Sequence, residues 1–287
     1  MTDVVFDTQG PRFAVSERGL RSRAVALFGA CYDGTTSFRP GARFGPDAIR
    51  TASMGLETYS PEQDADTSQD IELVDLGNVD LPAGAPGPVV AAITWATREI
   101  LAKNAKPLLM GGEHSVSIGA IAALAETYSE LVLVQIDAHA DLRDGYRGEV
   151  HNHACTMRRA LDVLPSERVL QVGVRSGTRR EFEELDQSGR LVAPSAQSLD
   201  ERLQKSRGPI YLTVDLDVFD PAYMPGTGTP EPGGIDWRDF AGLLSVIPER
   251  RLVAADVVEL APRLDSTGCS AVLAAKVVRE VALKLGL

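Results

Sequence analysis

Cysteine is scarce in this 287-residue chain: Cys31, Cys155 and Cys269 form an odd, widely separated set. Such a set reads as reduced thiols of an intracellular protein and excludes a disulfide framework. Cationic residues are also in deficit, with 29 lysines and arginines against 40 acidic residues and a formal net charge of −11. That balance argues against a nucleic-acid partner and suits a cationic ligand. No uninterrupted apolar run approaches the ~18 residues of a membrane span. The start, Met1-Thr2-Asp3, has neither the basic region nor the apolar stretch of a secretory leader. A cytoplasmic protein without membrane contact is expected. Repeats and low-complexity tracts are absent, and the segment Gly41 to Gly45 lacks the Gly-Lys-Ser/Thr ending of a phosphate-binding loop.

What is present is a set of short apolar runs alternating with longer segments of helical period. Residues 24–29, 71–76, 107–110, 131–136, 169–174, 210–214 and 253–260 read as strands. Residues 89–103, 117–128, 155–164, 237–246 and 271–285 read as helices. Continuous apolar strands separated by helices predict an α/β fold, a parallel sheet covered on both faces. Length and pattern together suit one domain over residues 1–287. The polar stretch 60–70 and the Pro/Gly-rich stretch 82–88 read as surface loops.

Polar residues gather just after the strands. Asp137, His139 and Asp141 occupy every second position after the run 131–136, Gly111-Gly112-Glu113-His114 follows another run, and Asp215-Leu216-Asp217 ends a third. Alternate residues of an extended chain share a side, and open α/β sheets bind ligands beyond the carboxyl ends of their strands. Buried carboxylates and imidazoles crowded together need a positive charge among them. All four histidines, His114, His139, His151 and His153, fall in or beside these motifs. The candidate ligands are therefore His114, Asp137, His139, Asp141, Asp215 and Asp217. Six are too many for one catalytic ion with an open position, and four aspartates balance two divalent ions. A carboxylate-rich, thiolate-free set suits manganese rather than structural zinc. Two such ions, roughly 3.5–4 Å apart, generate hydroxide from a shared water near neutral pH.

With these motifs assembled, the chain resembles the ureohydrolases, the arginase and agmatinase family, and most of all its shorter agmatinase members. The resemblance runs from Tyr32-Asp33-Gly34-Thr35-Thr36-Ser37 through Gly-Gly-Glu-His, Asp-Ala-His-Ala-Asp and Asp-Leu-Asp-Val-Phe-Asp-Pro. It ends at Thr229-Pro230-Glu231-Pro232-Gly233-Gly234 and Val257-Val258-Glu259-Leu260. It implies a three-layer α/β/α fold with a mainly parallel eight-stranded sheet, assembled as homo-trimers or homo-hexamers. Carried over by position, it assigns one Mn2+ to His114, Asp137, Asp141 and Asp215, and a second to Asp137, His139, Asp215 and Asp217. It makes His153 a proton shuttle, Glu259 the partner of a substrate guanidinium, and Thr229 part of the pocket lining. The implied reaction is attack of a metal-bridging hydroxide on a guanidinium carbon, Asp141 passing the proton, to give urea and a primary amine.

Departures from the family pattern bear on substrate. Ala154-Cys155 stands where many relatives carry Gly-Thr, and Leu142-Arg143-Asp144 stands where arginases hold the amino-acid head group with an asparagine. The second departure, together with the agmatinase-like Thr229-Pro230-Glu231-Pro232-Gly233-Gly234 segment, favours agmatine, giving putrescine, over arginine. Acid-tailed compounds such as guanidinobutyrate or formiminoglutamate are the alternative, and would call for Arg39, Arg43 or Arg143 at the pocket mouth. A metal-binding scaffold without catalysis would have lost a ligand or His153, and a one-zinc deacetylase would not need six ligands. His151 is expected to be exposed, and Cys155 is not expected to act as a nucleophile.

Overall fold

The computed structural model describes residues 6–287; the reading of Met1-Thr2-Asp3 lies outside them. The main sheet is built from β1 (Phe6–Asp7), β2 (Val25–Ala30), β5 (Leu73–Val79), β6 (Lys106–Gly111), β7 (Val132–Ile136), β8 (Val169–Val172), β9 (Leu191–Val192), β10 (Ile210–Asp215) and β11 (Leu252–Val258). A separate hairpin pairs β3 (Tyr59–Ser60) with β4 (Ala65–Asp66). The helices are α1 (Gly45–Ser53), α2 (Pro86–Ala102), α3 (Ser117–Thr127), α4 (Thr156–Leu161), α5 (Arg179–Ser188), α6 (Ala196–Leu203), α7 (Trp237–Ser245) and α8 (Cys269–Gly286).

Strand order in the sheet is β1-β5-β2-β6-β11-β10-β7-β8-β9. The mainly parallel sheet expected with eight strands has nine, because β1 pairs antiparallel with β5 beside eight parallel strands. β1 and β9 are only two residues each, too short to register as apolar runs. All seven strands read from the sequence form, with ends shifted by up to three residues.

The layers follow from alternation along each strand. Val25 and Leu27 of β2 pack into one core with Ile49 of α1, Leu199 of α6, Phe240 of α7 and Val277 of α8. Ala26 and Phe28 enter the opposite core with Ile93 of α2, Leu124 of α3, Met157 of α4 and Leu185 of α5. Both faces of the sheet are thus buried, which is why its strands are apolar without interruption. One buried ion pair braces the β2–β5 side: Arg50, fully buried in α1, donates from Nε and Nη2 to the two oxygens of Asp75 at 2.9 and 3.0 Å.

Three helices escape the apolar-run reading. α1 starts on Gly45-Pro46, and α5 and α6 are largely polar. α5 nevertheless carries a sequence signal, a capping box in which Thr178 and Glu181 satisfy each other's backbone N–H groups. The stretch 60–70, expected as plain loop, contains the β3–β4 hairpin. Among the described residues no helix is long and apolar enough to cross a membrane.

Candidate active site

Four adjacent strands, β6, β11, β10 and β7, end at the same edge of the sheet. Each delivers a polar side chain there: His114 three residues after β6, Glu259 just after β11, Asp215 as the last residue of β10, and Asp137 just after β7. The β6 exit works only with glycine at 112, because a Cβ there would lie 1.9 Å from the Tyr32 carbonyl oxygen. The carbonyl of Gly112 accepts from Glu259 N–H at 2.8 Å, tying the β6 and β11 exits together. Two of the residues concerned hold left-handed backbone conformations uncommon outside glycine, Asp141 at φ 52° and Glu259 at φ 70°. Such conformations persist where surrounding contacts fix them, and they aim both carboxylates into the same cavity.

Five of the six candidate ligands fall into groups that could hold an ion, and Asp215 joins them through His114. His114 Nδ1 lies 3.1 Å from Asp137 Oδ2, 3.1 Å from Asp141 Oδ2 and 3.3 Å from Asp215 Oδ2. His139 Nδ1 lies 2.9 Å from Asp217 Oδ2 and 3.8 Å from Asp137 Oδ1. The two oxygens of Asp137 therefore face two different imidazoles. Two overlapping groups of possible metal-binding atoms result, His114–Asp137–Asp141 and Asp137–His139–Asp217, sharing Asp137. Around them, Asp137 Oδ1 accepts from His139 N–H at 2.6 Å, Asp215 Oδ1 from Asp217 N–H at 2.9 Å, and Asp217 Oδ1 from Ala138 N–H at 3.3 Å. Gln135 Nε2 also donates to Asp137 Oδ2 at 2.6 Å, so both oxygens of that carboxylate are oriented by hydrogen bonds.

The donor set fits divalent cations. His114 Nδ1 is buried without a hydrogen-bond partner, although three carboxylate oxygens surround it. Its other nitrogen, Nε2, is 2.9 Å from Thr213 Oγ1. A ring held through one nitrogen, with the other turned to carboxylate oxygens, fits a metal-ligating histidine. The protein's own charges report the same crowding. Burial pushes Asp215 well above the usual carboxylate range, with Asp217 and Asp137 adding to it. Burial and Asp137 push Asp141 up to about 6. Burial would lower His139, but Asp217 and its other carboxylate neighbours outweigh it and hold the ring at about 11. Protons are held where cations would neutralise the same carboxylates.

The cavity above this cluster is about 220 Å³, with Ser37, Arg143, Tyr146, Ser176 and Thr229 among its walls. Glu259 reaches in from below. Its Oε1 accepts from His114 N–H at 2.7 Å, and burial, then the nearby Glu113 charge, push its carboxyl well up. Thr229 donates to Asp217 Oδ2 at 3.2 Å, so it braces that carboxylate as well as lining the cavity. His153 sits at the rim, its Nε2 3.2 Å from Ser37 Oγ and its Nδ1 3.3 Å from Thr35 Oγ1. Burial, then the two other imidazoles, lower it to about 4, so the ring is neutral at physiological pH.

Several residues here gave no individual signal in the sequence. Glu113, fully buried, accepts from Thr35 N–H at 2.9 Å, from the Thr35 hydroxyl, and from Ser115 Oγ at 2.6 Å. It fixes the loop whose Thr35 and Ser37 hold His153. Tyr146 meets His153 edge-on and lies under the Arg143 guanidinium, 4.4 Å from its centroid. Of the three arginines considered for the mouth, only Arg143 lines the cavity. Arg39 donates to the carbonyls of Thr227 and Gly228, and Arg43 pairs with Asp33. His151 is half-buried rather than exposed, close to Gly87, and outside the cavity. Cys155 is buried with its thiol pushed up to about 11 by burial and Asp141, which leaves it inert as a nucleophile.

Known proteins share the sequence and the fold of this chain over nearly its whole length. An agmatinase of Halalkalibacterium halodurans is 38% identical over 279 residues, covering 96% of each chain. The solved agmatine ureohydrolase of Thermoplasma volcanium superposes with a TM-score of 0.85 at 32% identity, covering 96% of this chain and 94% of that one. Proclavaminate amidinohydrolase from Streptomyces clavuligerus gives 0.88 at 31% identity, covering 97% of both. The model of the arginase family matches residues 23–284, and the chain belongs to that family.

Proposed function

We propose that the chain hydrolyses agmatine to urea and putrescine at a pair of manganese ions, as one catalytic unit over residues 1–287. The observation that carries the metal reading is the orphaned Nδ1 of His114 facing three carboxylate oxygens. The substrate follows from the agmatinase and agmatine ureohydrolase relatives. His114, Asp137, Asp141 and Asp215 would hold one ion, and Asp137, His139, Asp215 and Asp217 the other. The two oxygens of Asp137 and their separate imidazole partners support a bridging role. When bound, the ions supply the nucleophile by lowering the pKa of a water they share.

The chain's own residues do the rest. Glu259, with Oε1 occupied by a backbone N–H, turns Oε2 to the guanidinium and orients its plane by a charge-assisted hydrogen bond. A cation beside that buried carboxyl also restores its ionised form. Asp141, whose carboxylate lines the cavity beside His114, would take the proton released on attack and pass it to the departing amine. His153, at the rim with its Nε2 3.2 Å from the Ser37 hydroxyl, would carry protons between the cavity and solvent. Thr229 keeps Asp217 in place and walls the substrate channel. A polyamine-forming role, a cytoplasmic location and assembly into homo-trimers or homo-hexamers belong to the same reading.

One observation favours a second substrate class. Arg143 is half-buried at the cavity wall, stacked on Tyr146, and among the described residues no carboxylate pairs with it. It suits a guanidino or formimino compound with an acidic tail, such as guanidinobutyrate or formiminoglutamate. Urea release from the manganese-loaded chain with agmatine, arginine and guanidinobutyrate side by side separates the two. Agmatine as the best substrate by kcat/KM supports the first reading. Guanidinobutyrate as the best, with activity lost in Arg143→Ala, supports the second.

A further inference from the structure

His114 is gripped from behind as firmly as from the front. β10 carries Tyr211, Thr213 and Asp215 at alternate positions, so all three share one face. In the neighbouring strand β11, Asp256 stands directly beside Thr213 in the register. Asp256 is fully buried, and among the described residues no lysine or arginine pairs with it. It accepts instead from Thr213 Oγ1 at 2.6 Å and from the Tyr211 hydroxyl. Thr213 Oγ1 in turn lies 2.9 Å from His114 Nε2. A buried carboxylate without a cation is costly, and a well-packed apolar pair would fill this part of the sheet at lower cost.

The direction of these bonds has a consequence. Thr213 and Tyr211 both donate their hydroxyl protons to Asp256. Thr213 Oγ1 is left to His114 solely as an acceptor, and the ring must carry its proton on Nε2. In the neutral ring Nδ1 is then the nitrogen without a proton, and it faces the three carboxylates from which a divalent cation would displace the proton. We propose that Thr213 and Asp256, braced by Tyr211, are positioning residues that lock His114 in the Nε2–H tautomer and hold Nδ1 ready for a divalent cation. They touch neither substrate nor the cation, and act through His114. The inference rests on the two-metal reading above.

The test uses the full-length chain, stripped of metal and titrated with Mn2+ alone, with free Mn2+ followed by electron paramagnetic resonance. Two ions bound by the wild type support the underlying reading; none bound overturns it and this inference with it. Thr213→Val is expected to bind one of the two ions roughly 10- to 100-fold more weakly, the usual effect of losing such an outer partner. Thr213→Ser, which keeps the hydroxyl, is expected to restore the affinity. A folded Thr213→Val chain with wild-type affinity for both ions overturns the proposal. So does a Thr213→Ser chain as weak as the valine variant, because packing would then be the cause. If the valine variant fails to fold by circular dichroism, 15N NMR of the histidine-labelled, Zn2+-loaded wild type decides. A one-bond N–H coupling on His114 Nε2 supports the locked tautomer, and a bare Nε2 refutes it.

Discussion

Asp137→Ala is the most informative single perturbation of the cluster. The carboxylate is fully buried at the end of β7, with Oδ2 3.1 Å from His114 Nδ1 and Oδ1 3.8 Å from His139 Nδ1. If it bridges, its removal weakens both ions at once. The size of the effect can be bounded from two sides. Loss of a mere outer partner of a metal ligand costs roughly 10- to 100-fold in affinity. Two unit charges about 4 Å apart interact by about 4 kcal/mol at an effective dielectric constant near 20, and a divalent ion doubles that. Part is regained when water fills the space, so a loss of at least about 100-fold for each ion is expected, above the outer-partner range. Elemental analysis after gel filtration reads it directly. Asp137→Ala should retain neither ion, whereas Asp217→Ala, which touches only the His139 side, should retain one. A full complement of metal in Asp137→Ala, or the same single loss in both variants, would refute the bridging assignment.

Other consequences are open to measurement. His153→Ala should keep both metals and lose roughly 10²- to 10⁴-fold in turnover, the scale of a general acid–base contribution; unchanged turnover removes His153 from the reaction. The raised pKa of His139, from an ordinary 6.5 to about 11, means that protons compete with cations. Without cations the group's stabilisation is complete below 6.5 and is lost as pH rises through about 11, so manganese affinity should rise with pH between those limits. Proton release measured in a pH-stat during Mn2+ addition checks this, and proton uptake would contradict it. Arg50→Ala leaves Asp75 buried without its partner, and should destabilise the chain by about 3–5 kcal/mol in denaturant unfolding. A loss under about 1 kcal/mol would show that the backbone N–H groups on Asp75 suffice.

The parts of the fold legible in the sequence were those where burial leaves one solution. Strands covered on both faces, such as β2 and β10, must be apolar throughout, and so they stood out. α5 and α6 are short and largely polar, and the narrow stripes that bury Leu185 and the pair Leu199 and Leu203 were too slight to stand out as apolar runs. The candidate ligands were legible because histidine and aspartate directly after an apolar run are costly without a purpose. Their supports were less so. Thr213 and Asp256 lie inside strands that otherwise read as ordinary apolar runs, although a polar residue in the middle of a doubly covered strand was itself a signal. Glu113 stood in a recognised motif, yet its task, holding Thr35 under His153, depends on residues 78 positions apart. The left-handed backbone at Asp141 and Glu259 had no trace in the sequence, because it is imposed by the contacts of neighbouring strand ends.

The most direct test of the whole account is product analysis on the purified chain given agmatine. Urea and putrescine are expected in equal amounts, abolished by a chelator and restored by Mn2+. Agmatine left intact by the manganese-loaded chain, or urea formed undiminished in the presence of the chelator, would contradict it.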